Sequence, residues 1–247
     1  MPPSRWAGSV GHPAIAMGAW AIWDASNQPD TDFTTIADIS GNNRTANQAA
    51  TAGTPPHSTT ANGLPAFEIY AGSGAVTDGF SYAPSPLRSG VDFEVWMALK
   101  TGWPGGNAAI FMDIGTENDG FNSGVLYLAG NNLTLLRGGS FSGASQAVMA
   151  PQPSAPSGTG LNVWRYRGLA STNSSYLQVD SNTEISLADT RGAQPSEKVC
   201  VGYITSSLGT LGAAPMAVGE VIIFTRALTT AEAASLQTYL KTKWGAP

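Results

Sequence analysis

Three sets of residues in this 247-residue chain have types and spacings suited to chemistry. Asp113-x-x-x-Glu117-Asn118-Asp119-Gly120 places three acids and an amide in one short string. Hard oxygen donors crowded in this way are what calcium coordination requires, and the same string also reads as a polar turn. Asp24, Asp38 and Asn42 form a second oxygen-rich set open to the same two readings. In the third set, Trp103 lies in Thr-Gly-Trp-Pro-Gly-Gly-Asn, with Asn107 at the end of that loop. A sugar lays its C–H face on such a ring while amides take its hydroxyls. Tyr82, Phe80 and Phe121 are weaker platforms of the same kind. Trp23, Trp96, Trp164 and Trp244 fall inside strand or helix patterns and are assigned to packing.

Acid–base and nucleophilic chemistry find little material. His12 and His57 are the two histidines; both read as loop residues without a strand-mounted carboxylate beside them in sequence. There is no His-Glu-x-x-His, no Gly-x-Ser-x-Gly elbow and no phosphate-binding glycine loop with lysine. Glu68 and Glu94 each stand alone among apolar residues and read as outward or edge carboxylates. Cys200, the single cysteine, excludes an internal disulfide and reads as a small buried hydrophobe in a strand.

The elements that must position these residues are short. Lys+Arg 12 against Asp+Glu 17 makes 12% of the chain charged, where about 25% is usual, with 29 glycines and 16 prolines. That composition excludes charge-driven disorder and a coiled coil, and the net charge of −5 argues against a nucleic-acid binder. Apolar runs punctuated by Gly, Asn, Asp and Ser indicate an all-β chain. Strands are expected over Ala19–Trp23, Ala66–Tyr70, Phe93–Lys100, Ala109–Asp113, Gly124–Ala129, Leu133–Arg137, Val163–Ser171, Ser175–Val179, Val199–Tyr203 and Gly219–Phe224. Phe93, Val95, Met97 and Leu99 share one face of theirs, with Glu94 and Trp96 on the other. Gly130-Asn131-Asn132 and Ser171-Thr172-Asn173-Ser174 read as hairpin turns. Asn42–Gly63 and Ala144–Gly160 are expected as surface loops.

Near the C-terminus Thr229 and Glu232 have capping-box spacing, and Ala233, Leu236, Leu240 and Trp244 form an apolar stripe ending at Gly245. Lys241 and Lys243 are expected to face the helix dipole. The expected organisation is an N-terminal arm, 1–17, that orders against the domain or a partner, and one domain, 18–247, including the helix 230–244. The stretch before Trp23 contains Gly8, Gly11 and Pro13 and runs into a strand, so no Sec signal peptide is recognised; no stretch is long enough to insert in a membrane.

Three segments resemble the concanavalin A-like, laminin-G-type jelly-roll superfamily. They are Trp20-Ala-Ile-Trp23-Asp24-Ala25-Ser26 with Asp38-Ile-Ser-Gly-Asn42-Asn43, then Asn62-Gly-Leu-Pro-Ala-Phe67-Glu68, then Gly219 to Thr229 continuing through Leu240 to Lys243-Trp244-Gly245. The resemblance covers 19–245 and implies a jelly-roll β-sandwich with one C-terminal helix and an extended N-terminal arm. Catalytic members of the superfamily include endo-acting glucanases, which carry Glu-x-Asp-x-x-Glu on a strand; this chain has no such string, which argues against glycoside hydrolysis.

The resulting expectation is a non-catalytic displayed structural protein, a phage virion component such as a capsid decoration or tail appendage that holds cell-surface glycans. It would sit at the virion surface and dock on other virion proteins, or on copies of itself, through Met1–Met17. No catalytic residues are assigned. Trp103, Asn107, Phe121 and Tyr82 are the glycan-binding candidates, and Asp113, Glu117 and Asp119 the calcium option. The alternatives are a free lectin-like carbohydrate-binding module and a polysaccharide-cleaving enzyme with an atypical site.

Overall fold

The computed structural model describes residues 11–28, 34–48, 57–69, 79–87, 91–101, 107–115, 124–129, 132–137, 145–149, 160–188, 196–202, 204–206, 209–213 and 216–247. Helix α1 (Pro13–Ala16) precedes the strands β1 (Ala21–Asp24), β2 (Thr35–Ile36), β3 (Ala46–Gln48), β4 (His57–Ala61), β5 (Leu64–Ile69), β6 (Phe80–Tyr82), β7 (Phe93–Thr101), β8 (Asn107–Gly115) and β9 (Gly124–Ala129). There follow β10 (Asn132–Arg137), β11 (Ser145–Met149), β12 (Asn162–Leu169), β13 (Ser174–Val179), β14 (Ile185–Ala188), β15 (Ser196–Val201), β16 (Ile204–Ser206), β17 (Gly209–Ala213) and β18 (Met216–Phe224), and then α2 (Thr230–Trp244).

These strands form two sheets, a jelly-roll β-sandwich. One runs β14-β13-β12-β7-β18-β5-β4, with β1 also on β18; the other runs β11-β10-β9-β8-β15-β6-β3-β2. Pairing is antiparallel except where β17 lies parallel to β8. The turn chemistry read from sequence agrees with the pairing: Ala129 faces Asn132 across β9 and β10, and Leu169 faces Ser174 across β12 and β13. Asn173 takes φ +46 in the latter turn.

Alternation sorts the core into two layers. Phe93, Val95, Met97 and Leu99 point between the sheets with Trp23, Phe67, Phe80, Trp164 and Tyr166. Trp96 and Ala98 point the other way, joining Ile22, Phe224, Leu236, Leu240 and Trp244 under α2. Each large apolar side chain so buried contributes roughly 1.5–3 kcal/mol, and the two-sided burial explains the nearly unbroken apolar run of β18. Within that strand the phase shifts. Val218 and Val221 both face the inter-sheet core although three positions separate them, because the β7 register slips between Val218 and Glu220. The bulge turns Glu220 onto the face covered by α2.

Several expectations change. Asn42–Gly63 is not simply a loop: it supplies β3 and β4, and Ala144–Gly160 supplies β11. β4 and β11 close the edges of their sheets, where a strand needs a hydrogen-bonding neighbour more than an apolar alternation. Of the arm, His12 to Met17 packs on the domain: Ala14 is fully buried, α1 lies against α2, and Arg226 Nη2 donates to Met17 O at 2.7 Å. Residues 1–10 lie outside the described residues. The turn after Asp38 has Gly41 at φ +89, which suits its turn chemistry, and Asn43 also takes a positive φ.

Candidate functional site

Among the described residues, two clusters of buried charged side chains stand out. In the first, the bulge at Gly219 delivers Glu220 beneath α2, where it meets the last turn of that helix. Lys243 Nζ donates to Glu220 Oε2 at 2.9 Å and to Asp24 Oδ2 at 2.6 Å, and Trp244 Nε1 donates to Glu220 Oε2 at 3.1 Å. His12 Nδ1 accepts from Ala14 N at 3.1 Å, which leaves the ring proton on Nε2 for Glu220 Oε1. The His12 ring also meets Tyr239 edge-on at 4.7 Å. Burial pushes the Glu220 carboxyl up, but the Lys243 charge and the His12 bond outweigh it and hold it at about 2. Burial opposes the charge on Lys243, yet Glu220 and Asp24 together raise its pKa. Burial and the nearby Glu220 charge raise Asp24.

One expectation is corrected by this cluster: His12 is a buried residue with a carboxylate partner brought from 208 positions away. Lys243 stands in the last turn of α2 as expected and is in addition a buried ion-pair cation. No local sequence signal announces either partnership.

The second cluster surrounds Glu94, which is fully buried and so is not the outward or edge carboxylate expected. Arg165 forks it through Nε at 3.0 Å and Nη2 at 2.7 Å, while Trp96 Nε1 and Leu228 N each donate at 3.0 Å. Glu68, by contrast, is exposed as expected. Asp180, also buried, accepts from Val163 N at 2.7 Å and Asn162 Nδ2 at 2.6 Å. The buried carboxylates therefore tie elements together.

A third arrangement reaches the surface. The turn after β2 is organised by Asp38, whose Oδ1 accepts from Ile22 N and Ser40 N and whose Oδ2 accepts from Ser40 Oγ and Arg44 N, all between 2.8 and 3.0 Å. This returns Arg44 to the strand mouth at Trp20. The Arg44 guanidinium lies 4.3 Å over the Trp20 ring and donates from Nη1 to Trp20 O, while Trp23 Nε1 donates to Arg44 O at 2.8 Å. Tyr82, from β6, meets Trp20 edge-on at 5.2 Å and 81°. Trp20, Arg44 and Tyr82 are all half-buried. Sequence reasoning named Tyr82 but missed Trp20 and Arg44; the signal was present in the string from Asp38 to Arg44, a turn that must fold back on the preceding strand.

The other expected site residues are dispersed. Asn107 opens β8 opposite Ala129, and Asp113 lies within β8 between Gly124 and Val199. Trp103, Glu117, Phe121 and Asp119 lie outside the described residues. Among the described residues no three His, Cys, Asp or Glu side chains converge as a metal cluster. Asp24 and Asp38 do not fit a calcium ion: the Lys243 ammonium already neutralises one, and N–H and O–H donors fill the other.

No family model and no curated protein matches the sequence. Solved structures do match the fold. The binding domain of botulinum neurotoxin serotype G superposes with a TM-score of 0.63 at 12% identity, over 93% of this chain and 54% of that one. A Trypanosoma rangeli sialidase in complex with sialic acid gives 0.60 at 14% identity, over 93% of this chain and 34% of that one. A botulinum neurotoxin type C structure, for which cell entry depends upon interaction with two ganglioside molecules, gives 0.60 at 12% identity, over 89% and 51%. This chain thus spans about a third of the sialidase and about half of the toxin chains. At such identities the likeness is one of fold, and that fold is the lectin-like β-sandwich the opening and closing motifs imply.

Proposed function

We propose that the chain is a non-catalytic carbohydrate-binding module whose ligand meets the surface at Trp20, Arg44 and Tyr82. The observation that carries this reading is the fate of the buried acids. Asp24, Glu94 and Glu220 are each consumed by cations and N–H donors that hold the sandwich to its helix, so none stands ready to share acid and nucleophile roles with another. What reaches solvent is an aromatic and cationic cluster on a fold shared with a toxin binding domain. Two of the similar structures are described with sialic acid and with gangliosides, which are sugar ligands, and this supports a glycan as the ligand class. Trp103, Asn107 and Phe121 extend the proposal as further sugar contacts, and Asp113, Glu117 and Asp119 as a calcium option. Display on a virion surface, with Met1–Met17 as the docking segment, draws no support from the similar structures.

A glycan array probed with the full chain tests the reading. Saturable binding to a subset of glycans is expected, weakened at least about tenfold in Tyr82→Ala, where an aromatic contact is lost. Incubation with the bound glycans should release no reducing ends. Absence of binding across the array, or release of reducing ends that disappears in Glu68→Gln, would refute it. Repeating the array with a chelator decides the calcium option.

A further inference from the structure

The Trp20 cluster is built for a charged sugar. Resting on the carbohydrate-binding reading, we propose that it takes an oxyanion-bearing glycan, with a carboxylate or sulfate group on the Arg44 guanidinium, in preference to a neutral sugar stacked on Trp20.

The Trp20 ring face that a neutral sugar would use is already covered, since the guanidinium lies over it at 4.3 Å, and Tyr82 stands edge-on to the same ring. The contact that removes a stacking platform fixes a cation in its place. Arg44 is anchored at three points: its backbone N donates to Asp38 Oδ2 at 3.0 Å, its carbonyl accepts from Trp23 Nε1 at 2.8 Å, and its Nη1 donates to Trp20 O. A planar fork held in one orientation loses little freedom when a carboxylate or sulfate oxygen pair binds, which is the condition for affinity from a single ion pair.

Charge accounting points the same way. Arg165, Arg167 and Arg226 each fork a glutamate, Glu94, Glu184 and Glu232 respectively. Arg44 donates to no carboxylate among the described residues. Asp38, the acid of its own turn, accepts from Ile22 N, Ser40 and the Arg44 backbone, and the Arg44 guanidinium is bonded to Trp20 O instead. Guanidinium carries five N–H donors, and one of them is spent on Trp20 O. Asn43, exposed, precedes Arg44 and offers an amide for a neighbouring hydroxyl, while the Asn42 Nδ2 is spent on Ala19 O, Trp20 O and Ser40 Oγ.

Titration calorimetry on the full chain with matched saccharides tests this: trigalacturonate against galactotriose, sialyllactose against lactose, and lactose sulfate against lactose. At least one acidic member should bind, with its neutral counterpart at least about tenfold weaker and with affinity falling as salt is raised. Arg44→Gln should lose about ten- to a hundredfold for the acidic ligand alone, the value of a charge-assisted fork. Arg44→Lys, which keeps the charge without the fork, should fall between, and serves if the glutamine variant fails to fold. Whether the carboxylated or the sulfated probe binds identifies the oxyanion. Equal binding of acidic and neutral partners, or an acid preference that survives Arg44→Gln, overturns the inference and leaves the carbohydrate-binding reading standing. Binding of no saccharide, neutral or acidic, overturns both.

Discussion

Lys243, in the last turn of α2, donates to Asp24 at the end of β1 across 219 residues of chain and a distance of 2.6 Å. The same ammonium reaches Glu220, and both side chains of the Lys243–Asp24 pair are almost wholly out of solvent. Removing the cation leaves two buried carboxylates facing each other, and unpaired buried charge is among the costliest defects a fold can carry. Lys243→Met is expected to lower the unfolding free energy by about 3–5 kcal/mol. Urea denaturation measures it; a loss below about 1 kcal/mol would mean that water already screens the pair.

The same cluster sets a pH dependence. Glu220 is held at about 2 against an ordinary 4.5, so its contribution to stability is complete above pH 4.5 and disappears as pH falls towards 2. Asp24, raised by burial and by Glu220, acts in the opposite sense: its contribution is present below 3.8 and is lost as pH rises. Glu232, lowered to about 2 by the Arg226 bond first and the Thr229 amide second, shares the acid window. Wild-type stability should therefore fall between pH 4.5 and 2, and Glu220→Gln should show a shallower slope in that window. Urea midpoints across this range, measured side by side, decide it; identical slopes would remove Glu220 from the acid response.

Gly219 lies under the Trp244 ring. A Cβ there would come within 2.6 Å of two ring carbons and 2.7 Å of Leu161 Cδ1. Gly219→Ala is expected to cost about 1–3 kcal/mol through overpacking and to alter the emission of Trp244. Unchanged stability with unchanged fluorescence would show that the helix can lift from the sheet at no cost.

Thr229 caps α2 by accepting from Glu232 N at 3.2 Å, while Glu232 Oε2 accepts from Thr229 N at 2.8 Å. Thr229→Ala should cost about 1 kcal/mol. For a chain of this size that is a melting shift of about 2–4 °C. Calorimetry reads it directly, and a shift below 1 °C would mean that the Arg226 pair alone holds the helix start.

The helix, its cap and its buried stripe were legible because each depends on residues within a turn or two of one another. The same holds for β7, where alternation separates Phe93 and Val95 from Trp96. Strands β3, β4 and β11 were not legible: their Thr, Ala, Asn and Ser content has no period, and they exist because a neighbouring strand supplies hydrogen bonds. Tyr82 stands outside the main apolar runs, whereas Trp20 lies within the opening motif and Arg44 within the stretch 42–63 that reads as a surface loop.

By itself the sequence determined the all-β class, the capped C-terminal helix and the turn chemistry after Asp38, since propensity, period and capping act over short range. Tertiary structure alone decided the electrostatics. It brought His12, Asp24, Glu220 and Lys243 together from opposite ends of the chain, buried Glu94 against Arg165, and laid Arg44 on Trp20. Charge pairing depends on distance in space and on exclusion of water, and neither quantity is written in the spacing of residues along a chain.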